Sequence, residues 1–183
     1  MVFDAKNIIR RRMLVLRDDL TELERKEKSH AIAAKLFTLE EYKSAIIVAF
    51  YLTIGSEVDT TGMISQSLTL GKKVLIPVTK EEIEFVEFTS FEDLAPAKYG
   101  ILEPKTKLPA KQHPDLIITP GLAFDLDFHR LGYGKGYYDR LFRTVNSKRI
   151  GICFDSQLVE KIPKREHDQK LDIVITDKRI IKR

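Results

Sequence analysis

The sequence predicts an α/β fold, a three-layer sandwich in which a mostly parallel, mixed sheet carries helices on both faces. Helical and strand-like patterns alternate along the chain, and that order builds a parallel sheet with covering helices. Residues 45–52 form a continuous apolar run, which is typical of a strand buried on both faces. Neither a linker, an internal repeat nor a low-complexity segment divides the 183 residues, so we expect a single domain over 1–183.

Three helical segments are predicted before the first strand. Residues 4–17 place apolar side chains on one helical face, with Asp4 as the expected N-cap. A capping box at 21–24 opens a second helix that continues to about Leu36. Residues 38–43 form a short third turn before the apolar strand begins.

Two pairs of charged residues lie near these elements. Lys6 and Arg10 are four residues apart and share a helical face, which by spacing alone is a solvated basic face. Glu57 and Asp59 lie in the loop 53–59 after the first strand, where ligands bind in open α/β sheets. Glu57 is the better ligand candidate, because Asp59 directly precedes the next helix as a natural cap.

The remaining elements follow from periodicity and from glycine and proline positions. A helix over about 60–70 is predicted to stop at Gly71, a typical left-handed C′ glycine. Residues 157–162 are ambiguous between helix and strand. Predicted strands cover 73–77, 83–88, 115–119, 148–154, 171–176 and the edge segment 179–182, and 91–114 is a loop-rich excursion.

Residues 130–136, which we call the glycine loop, carry glycines at alternate positions, 132, 134 and 136. Backbone amides of such a loop can approach an oxyanion closely because no Cβ stands in the way. Arg130 and Lys135 add positive charge, and the helix predicted to follow, to about Asn146, offers free N-terminal amides. The pattern indicates a phosphate cradle, although it fits neither common nucleotide-binding motif and a purely structural turn is the alternative.

Chain topology predicts where these groups meet. The right-handed crossover rule places the loops that follow the strands near 52, 119 and 154 on one rim of the sheet. We expect that rim to gather Glu57, the glycine loop and Asp172.

Composition narrows the classes of partner. The net charge of +4 and the sequence pI of about 9.0 suit an anionic ligand or a weak affinity for nucleic acid. No apolar run approaches the roughly 20 residues of a membrane helix, and no signal-peptide core is present, so we expect a cytoplasmic protein without membrane contact. Cys153 is the only cysteine, lies in an apolar strand, and is expected to be a small buried residue without a nucleophilic role.

The glycine loop and its surroundings resemble a known family. The sequence Arg-Leu-Gly-Tyr-Gly-Lys-Gly-Tyr-Tyr-Asp at 130–139, after Pro-Gly-Leu-Ala-Phe-Asp at 120–125, is similar to 5-formyltetrahydrofolate cyclo-ligase, or methenyltetrahydrofolate synthetase. The segment 99–104 adds to the similarity, which extends from Lys6 to about Asp177.

The resemblance implies a two-stage, Mg²⁺-dependent reaction that converts 5-formyltetrahydrofolate to 5,10-methenyltetrahydrofolate while ATP becomes ADP and phosphate. The formyl oxygen attacks the γ-phosphate to give an N5-iminium phosphate, then N10 attacks that carbon and phosphate departs. It also implies 5-formyltetrahydrofolate and ATP as the partners, not nucleic acid, and we expect a monomer.

Residue roles are carried over from the same resemblance. It makes Lys135, Arg130 and Tyr137 the catalytic candidates and matches Asp139 and Asp172 to the family's Mg²⁺-binding aspartates. Two aspartates suffice because Mg²⁺ takes its other ligands from phosphates and water. The ATP-binding candidates are Lys6, Arg10, Arg130, Leu131, Gly132, Tyr133, Gly134, Lys135, Gly136, Tyr137 and Tyr138. The folate-binding candidates are Leu52, Glu57, Tyr133, Gly134, Lys135, Gly136 and Tyr137.

One position departs from the family pattern, which usually has glycine two residues before the motif arginine. Phe128 stands there, so either a positive φ costs about 1 kcal/mol or more, or the turn has another shape. His129 and His167 lie in polar loops and receive no role. The competing hypothesis is a non-catalytic protein that uses its Tyr-, Lys- and Arg-rich loop to bind nucleotide or RNA.

Overall fold

The structure is a computed structural model that describes residues 2–79, 81–96, 102–105, 109–164 and 168–183. Five α-helices occur in these residues: α1 (Val2–Asp18), α2 (Glu22–Thr38), α3 (Glu40–Ser44), α4 (Thr61–Thr69) and α5 (Tyr137–Thr144). The strands are β1 (Ile47–Ala49), β2 (Lys73–Thr79), β3 (Ile83–Phe88), β4 (Leu94–Pro96), β5 (Leu102–Pro104), β6 (Leu116–Thr119), β7 (Ala123–Asp125), β8 (Arg130–Leu131), β9 (Lys148–Cys153), β10 (Leu158–Val159), β11 (Ile173–Thr176) and β12 (Ile180–Lys182).

The main sheet has seven strands in the order β12-β11-β9-β6-β1-β2-β3. Its five central strands are parallel, and the edge strands β3 and β12 are antiparallel to their neighbours. A small sheet, β10-β7-β8, and the β4–β5 hairpin stand beside it. The predicted mixed, mostly parallel α/β sheet is therefore confirmed. We call the edge at which the parallel strands end the carboxyl edge.

Two layers of apolar side chains hold the helices against the main sheet. Val48 and Phe50 face the layer that contains Ile32, Leu36 and Met63 from α2 and α4. Ile47 and Ala49 face the opposite layer, which contains Leu141 and Phe142 of α5. This alternation follows from the two-residue period of a strand, and full burial of β1 agrees with its apolar run. A third cluster joins Met13 of α1 to the small sheet through Leu122, Leu131 and Ile162.

Several helix ends agree with the caps predicted from the sequence. The predicted capping box is present, with the Thr21 hydroxyl accepting from the Glu24 amide and the Glu24 carboxylate accepting from the Thr21 amide. Asp59 accepts from the Thr61 amide at 2.9 Å, and Gly71 adopts φ 74°. The prediction of Asp4 as an N-cap is wrong, because α1 already begins at Val2.

Other details differ from the sequence-based expectations. The strand predicted over 45–52 is β1, which keeps only three residues: all three pair with β2, and Val48 and Ala49 also pair with β6. The ambiguous segment 157–162 contains β10, preceded by a single 3₁₀ turn. The edge strand predicted at 179–182 is present as β12, and Cys153 is fully buried as expected.

Candidate active site

A cavity of about 850 Å³ opens at the carboxyl edge of the main sheet. Its walls come from α1, the β1–α4 loop, the glycine loop, the start of α5, and the segment 102–104. All predicted ATP- and folate-binding residues line it: Lys6, Arg10, Leu52, Glu57, Arg130, Leu131, Gly132, Tyr133, Gly134, Lys135, Gly136, Tyr137 and Tyr138. The cavity also contains two aspartates, Asp139 and Asp168.

Conformation of the glycine loop depends on its glycines. Gly134 has φ 102° and Gly136 has φ 69°, both in the left-handed region that side chains disfavour. Gly136 is also the N-cap of α5 and has no side chain to satisfy the first helical amides. Those amides therefore stand at the cavity wall as potential anion donors.

Gly132 has a different reason for lacking a side chain. A Cβ at this position would lie 2.7 Å from Nη1 of Arg130. The Arg130 guanidinium is held over the Tyr138 ring at 5.0 Å and lies 3.7 Å from an Asp139 carboxylate oxygen. Gly132 thus leaves room for a buried cation whose pKa is lowered by burial and partly restored by Asp139.

Helix α1 supplies a basic wall opposite the loop. Arg10 donates through Nε to the Gly132 carbonyl at 2.9 Å and through Nη1 to Asn7 at 2.7 Å. Lys6 is only 6% exposed and forms a 2.7 Å ion pair with Asp168. The pair Lys6 and Arg10 is therefore packed against the cavity, and the alternative of a solvated basic face is excluded.

Lys135 differs from these cations because its side chain is exposed in the cavity. No described residue forms an ion pair or hydrogen bond with its amine. Its carbonyl accepts from Arg140 at 2.9 Å, and the Arg140 guanidinium stacks on Tyr137 at 5.0 Å. The backbone around Lys135 is therefore fixed while its charge remains available to a ligand.

The acidic side of the cavity corrects one prediction. Asp139 faces Arg130 and accepts from the Gln169 amide at 3.3 Å, and Asp168 lies opposite on the Lys6 amine. Asp172 does not join them. It lines a separate cleft at the amino edge of the sheet, where it accepts from the Arg149 amide and from Arg183. The expectation that Asp172 shares the rim with Glu57 and the glycine loop is wrong.

The physical reason is the position of Asp172 in the chain. It immediately precedes β11, and residues before parallel strands lie at the amino edge, away from the loops that follow those strands. Asp168 is the aspartate that sequence reasoning missed. No motif marks Asp168 in the sequence. It is distinguished by its contact with Lys6, a residue 162 positions away along the chain.

Glu57 is buried in the β1–α4 loop with 9% of its surface exposed. Burial raises the pKa of its carboxyl, while the Ile54 amide and the nearby Arg17 guanidinium act in the opposite direction. The Ile54 amide donates to Glu57 at 3.1 Å. A carboxylate held in this way, beside half-buried Leu52, can accept hydrogen bonds from a ligand that enters the cavity.

Phe128 resolves the departure from the family pattern. It adopts φ 68°, so the turn does require the left-handed conformation for which glycine is usual. Its ring is buried in the cluster formed by Phe124, Leu141 and Leu171. Asp125 fixes the turn by accepting a hydrogen bond from the backbone amide of His129 at 2.8 Å. His129 itself is buried and belongs to this turn. His167 and residues 99–101 lie outside the described residues.

Fold and cavity together define an α/β protein with a basic, glycine-rich cavity that also contains two carboxylates. The model of the 5-formyltetrahydrofolate cyclo-ligase family matches residues 2–177. The chain therefore belongs to the 5-formyltetrahydrofolate cyclo-ligase family, as the glycine-loop motif predicted.

Individual relatives agree over nearly the whole chain. The 5-formyltetrahydrofolate cyclo-ligase of Escherichia coli K12 is 32% identical over 88% of this chain and 94% of its own length. A probable 5-formyltetrahydrofolate cyclo-ligase of Caenorhabditis elegans is 28% identical over 94% and 92% of the two chains. The NMR structure of Aquifex aeolicus 5,10-methenyltetrahydrofolate synthetase has a TM-score of 0.86 and 34% identity, covering 97% of this chain and 92% of that one.

Within the part of the chain that the structure describes, no helix combines the length and the apolar character needed to cross a bilayer.

Proposed function

We propose that the protein converts 5-formyltetrahydrofolate to 5,10-methenyltetrahydrofolate and that ATP is cleaved to ADP and phosphate in the process. The observation that carries the proposal is the single cavity in which the glycine loop, the α1 cations and buried Glu57 meet. Phosphoryl transfer depends mainly on positioning and charge neutralisation, which is what this arrangement offers. The names of the relatives support the same activity.

Phosphate binding is assigned to the basic side of the cavity. Lys135, Lys6 and Arg10 neutralise the phosphate oxygens, and the backbone amides around Gly134 and Gly136 donate to them. Arg130, already fixed by Tyr138 and Asp139, adds a preorganised positive charge near the transferred phosphoryl group. Preorganisation matters because fixed donors need no rearrangement when negative charge develops.

Folate binding is assigned to the opposite side. Glu57 accepts hydrogen bonds from pterin N–H groups, and Leu52 provides apolar contact to the ring. Tyr133 and Tyr137 border both ligands, so that the formyl oxygen can face the γ-phosphate. The formyl oxygen then attacks phosphorus as ADP leaves, and N10 attacks the iminium carbon. Phosphate departs with the former formyl oxygen, and the N10 proton is released.

Residues of the cavity fit a magnesium ion. Asp139 and Asp168 are the two carboxylates that would hold it, in place of the Asp139 and Asp172 pair expected from sequence. Among the described residues no group of three or more metal-binding side chains occurs, which suits Mg²⁺ because it draws its remaining ligands from phosphates and water. When bound, the ion supplies positive charge to the phosphate oxygens.

The RNA-binding hypothesis is less favoured by the same geometry. Its basic residues line a cavity that also contains two carboxylates, whereas a nucleic-acid surface presents exposed cations along a groove. Carboxylates there would repel a phosphate backbone.

A direct assay tests the proposed activity. Purified protein is mixed with 5-formyltetrahydrofolate, ATP and Mg²⁺, and the methenyl chromophore is followed together with released ADP. We expect an ATP-dependent absorbance rise with one ADP per product. The absence of any rise with correctly folded protein would reject the proposal.

The variant Lys135→Ala tests whether Lys135 takes part in the reaction. Removing one phosphate-directed charge should lower kcat/KM by at least about 100-fold, since such contacts contribute roughly 2.7–4 kcal/mol to transition-state stabilisation. Lys161→Ala, an exposed lysine outside the cavity, is the matched control and should retain wild-type rates. Equal kcat/KM for both variants would remove Lys135 from the mechanism.

A further inference from the structure

Arg17 is a buried arginine whose role the cyclo-ligase assignment leaves unexplained. It lies in the last turn of α1, and its side chain is 3% exposed. It is not among the residues that line the cavity within the described part of the chain. Burying a guanidinium is costly unless its donors are satisfied, so its partners indicate what it does.

Those partners come from two separate segments of the cavity wall. Nη2 donates to the hydroxyl of Tyr133 in the glycine loop at 2.9 Å. Nε donates to Ser56 in the β1–α4 loop at 2.9 Å, and the Ser56 hydroxyl donates in turn to Asp18. Nη1 lies 3.9 Å from a Glu57 carboxylate oxygen, close enough for attraction without a direct hydrogen bond.

Tyr133 shows why the bond to Arg17 matters. The side chain is 60% exposed and follows Gly132 directly, so little packing restrains it. Its bond to Arg17 links the phosphate side of the cavity to the loop that carries Glu57. A planar guanidinium with several donors in a fixed geometry can hold both segments at once, which lysine cannot do.

Charge around Glu57 points to the same residue. The titratable groups that face its carboxylate are Arg17 from α1, Tyr51 at the end of β1 and Tyr138 from α5. Tyr51 is buried and Tyr138 is partly buried, and desolvation raises the pKa of both, so they face Glu57 as neutral groups. Arg17 is the cation among these three, and it favours the ionised carboxylate.

We propose that Arg17 is a positioning residue that joins Tyr133 and Glu57 into one folate-binding surface and supplies the positive charge that Glu57 faces. The inference rests on the proposed cyclo-ligase function and adds a residue outside the cavity to it. Arg17 is not among the described residues that line the cavity, so it acts on binding of the folate through the two residues it contacts.

Steady-state kinetics of Arg17→Gln and Tyr133→Phe test the proposal. Arg17→Gln should raise the KM for 5-formyltetrahydrofolate about tenfold or more, as expected for loss of a charge-assisted contact, while the KM for ATP changes less than about threefold. Tyr133→Phe removes the hydroxyl, keeps the ring and should raise the folate KM by a smaller factor. Arg12→Gln, on the exposed face of the same helix, is the control.

A double-mutant cycle separates positioning from general loss of structure. If Arg17 acts partly through Glu57, the loss in folate kcat/KM of the Arg17→Gln/Glu57→Gln double variant should be smaller than the product of the two single losses. A merely structural arginine would instead lower the active fraction and the Tm, leaving both KM values unchanged. Independent losses that multiply in the double variant would overturn the proposal.

The pH response gives a second readout. Ionised Glu57 binds the folate, so affinity falls as pH drops through its raised pKa, above the ordinary value of 4.5. Without Arg17 that pKa rises further, so the acid limb of folate kcat/KM should move to higher pH, and Glu57→Gln should remove the limb. An unmoved limb in Arg17→Gln would contradict the inference.

Carboxyl-¹³C NMR of labelled glutamate gives a measurement that needs no turnover. The Glu57 signal, assigned with Glu57→Gln, should titrate at higher pH in Arg17→Gln than in wild type or Arg12→Gln. An inactive wild-type protein with this shift would reject the cyclo-ligase function and leave the Arg17–Glu57 coupling intact. An active wild type without the shift would reject the coupling alone.

Discussion

Phe128 shows how one residue can keep an unfavourable backbone angle. A left-handed φ of 68° costs a residue with a side chain about 1–2 kcal/mol. Burial of a phenylalanine ring contributes more, since truncation of such a ring to alanine costs about 3–5 kcal/mol. The ring packs with Phe124, Leu141 and Leu171, so packing exceeds strain and the turn keeps the shape that glycine would give.

Substitutions at position 128 should therefore reverse the usual order of alanine and glycine. Phe128→Ala loses the ring and keeps the strain, whereas Phe128→Gly loses the ring and releases the strain. We expect both variants to be destabilised and the glycine variant to be more stable than the alanine variant by about 1 kcal/mol. Urea unfolding measures the difference, and an alanine variant at least as stable as the glycine variant would show that the turn is unstrained.

At this scale the sequence located some groups and missed others. Strand ends predicted Glu57 and the glycine loop as neighbours, whereas Lys6 and Arg10 were assigned to the same site by the family resemblance alone. The sequence did not separate Asp168 from Asp172, because both are aspartates within one polar segment before the last parallel strand. The choice depends on which of them faces Lys6, a contact between residues 162 positions apart.

Among the elements, the glycine loop leaves the space in which the Arg130 side chain lies. The guanidinium occupies the space that a Cβ at Gly132 would need. Since the end of an arginine side chain can move, a methyl group there would displace the cation without unfolding the loop. The loop is therefore shaped around a side chain of its own strand β8.

Gly132→Ala tests this arrangement. We expect the variant to fold but to lose at least about tenfold in kcat, because displacement of one preorganised charge costs roughly 1.4 kcal/mol or more. Gly62→Ala is the control: a Cβ there meets nothing within 4 Å, and the change should stabilise α4 by about 0.5–1 kcal/mol. Wild-type kcat in Gly132→Ala, measured by the chromophore assay, would show that Arg130 tolerates displacement.

Elements stabilised by residues close in sequence can be predicted from the sequence, whereas elements that depend on distant residues cannot. Helix α2 and its capping box depend on residues within one turn, so the sequence predicts them directly. Strands β7, β8 and β10 are only two or three residues long, and β10 pairs with β7 across more than thirty residues of chain. No local pattern reveals such a pairing, so the small sheet was not predicted.

At the scale of the whole molecule, strand direction decides which residues can meet. Glu57 and the glycine loop follow parallel strands and meet at the carboxyl edge, whereas Asp172 precedes β11 and lies at the other edge. Applied strictly, the rule used to place Glu57 would also have excluded Asp172. Alternation of helices and strands predicts the overall fold. Whether a polar residue directly precedes or directly follows a parallel strand predicts the edge of the sheet at which it lies.

The carboxyl edge is also held together by charge, at a place separate from the cavity. Asp155 follows β9 and accepts two hydrogen bonds from Arg179 at 2.9 Å and one from Thr176 at 2.9 Å. These bonds tie the end of β9 to the β11–β12 hairpin. The hydrogen bonds from Arg179 are the main cause that lowers the pKa of Asp155 below its ordinary value of 3.8.

This lowered pKa predicts how stability depends on pH. A carboxyl whose pKa is depressed in the folded state stabilises the protein above its unfolded pKa, here about 3.8, and loses that effect as pH falls through the folded pKa. Asp155→Asn should therefore lower the free energy of unfolding at pH 7, and its difference from wild type should shrink below about pH 4. Urea unfolding across pH 3 to 7 measures this, with exposed Asp19→Asn as the control. A difference that stays constant over that range would mean that the Asp155 charge does not stabilise the hairpin.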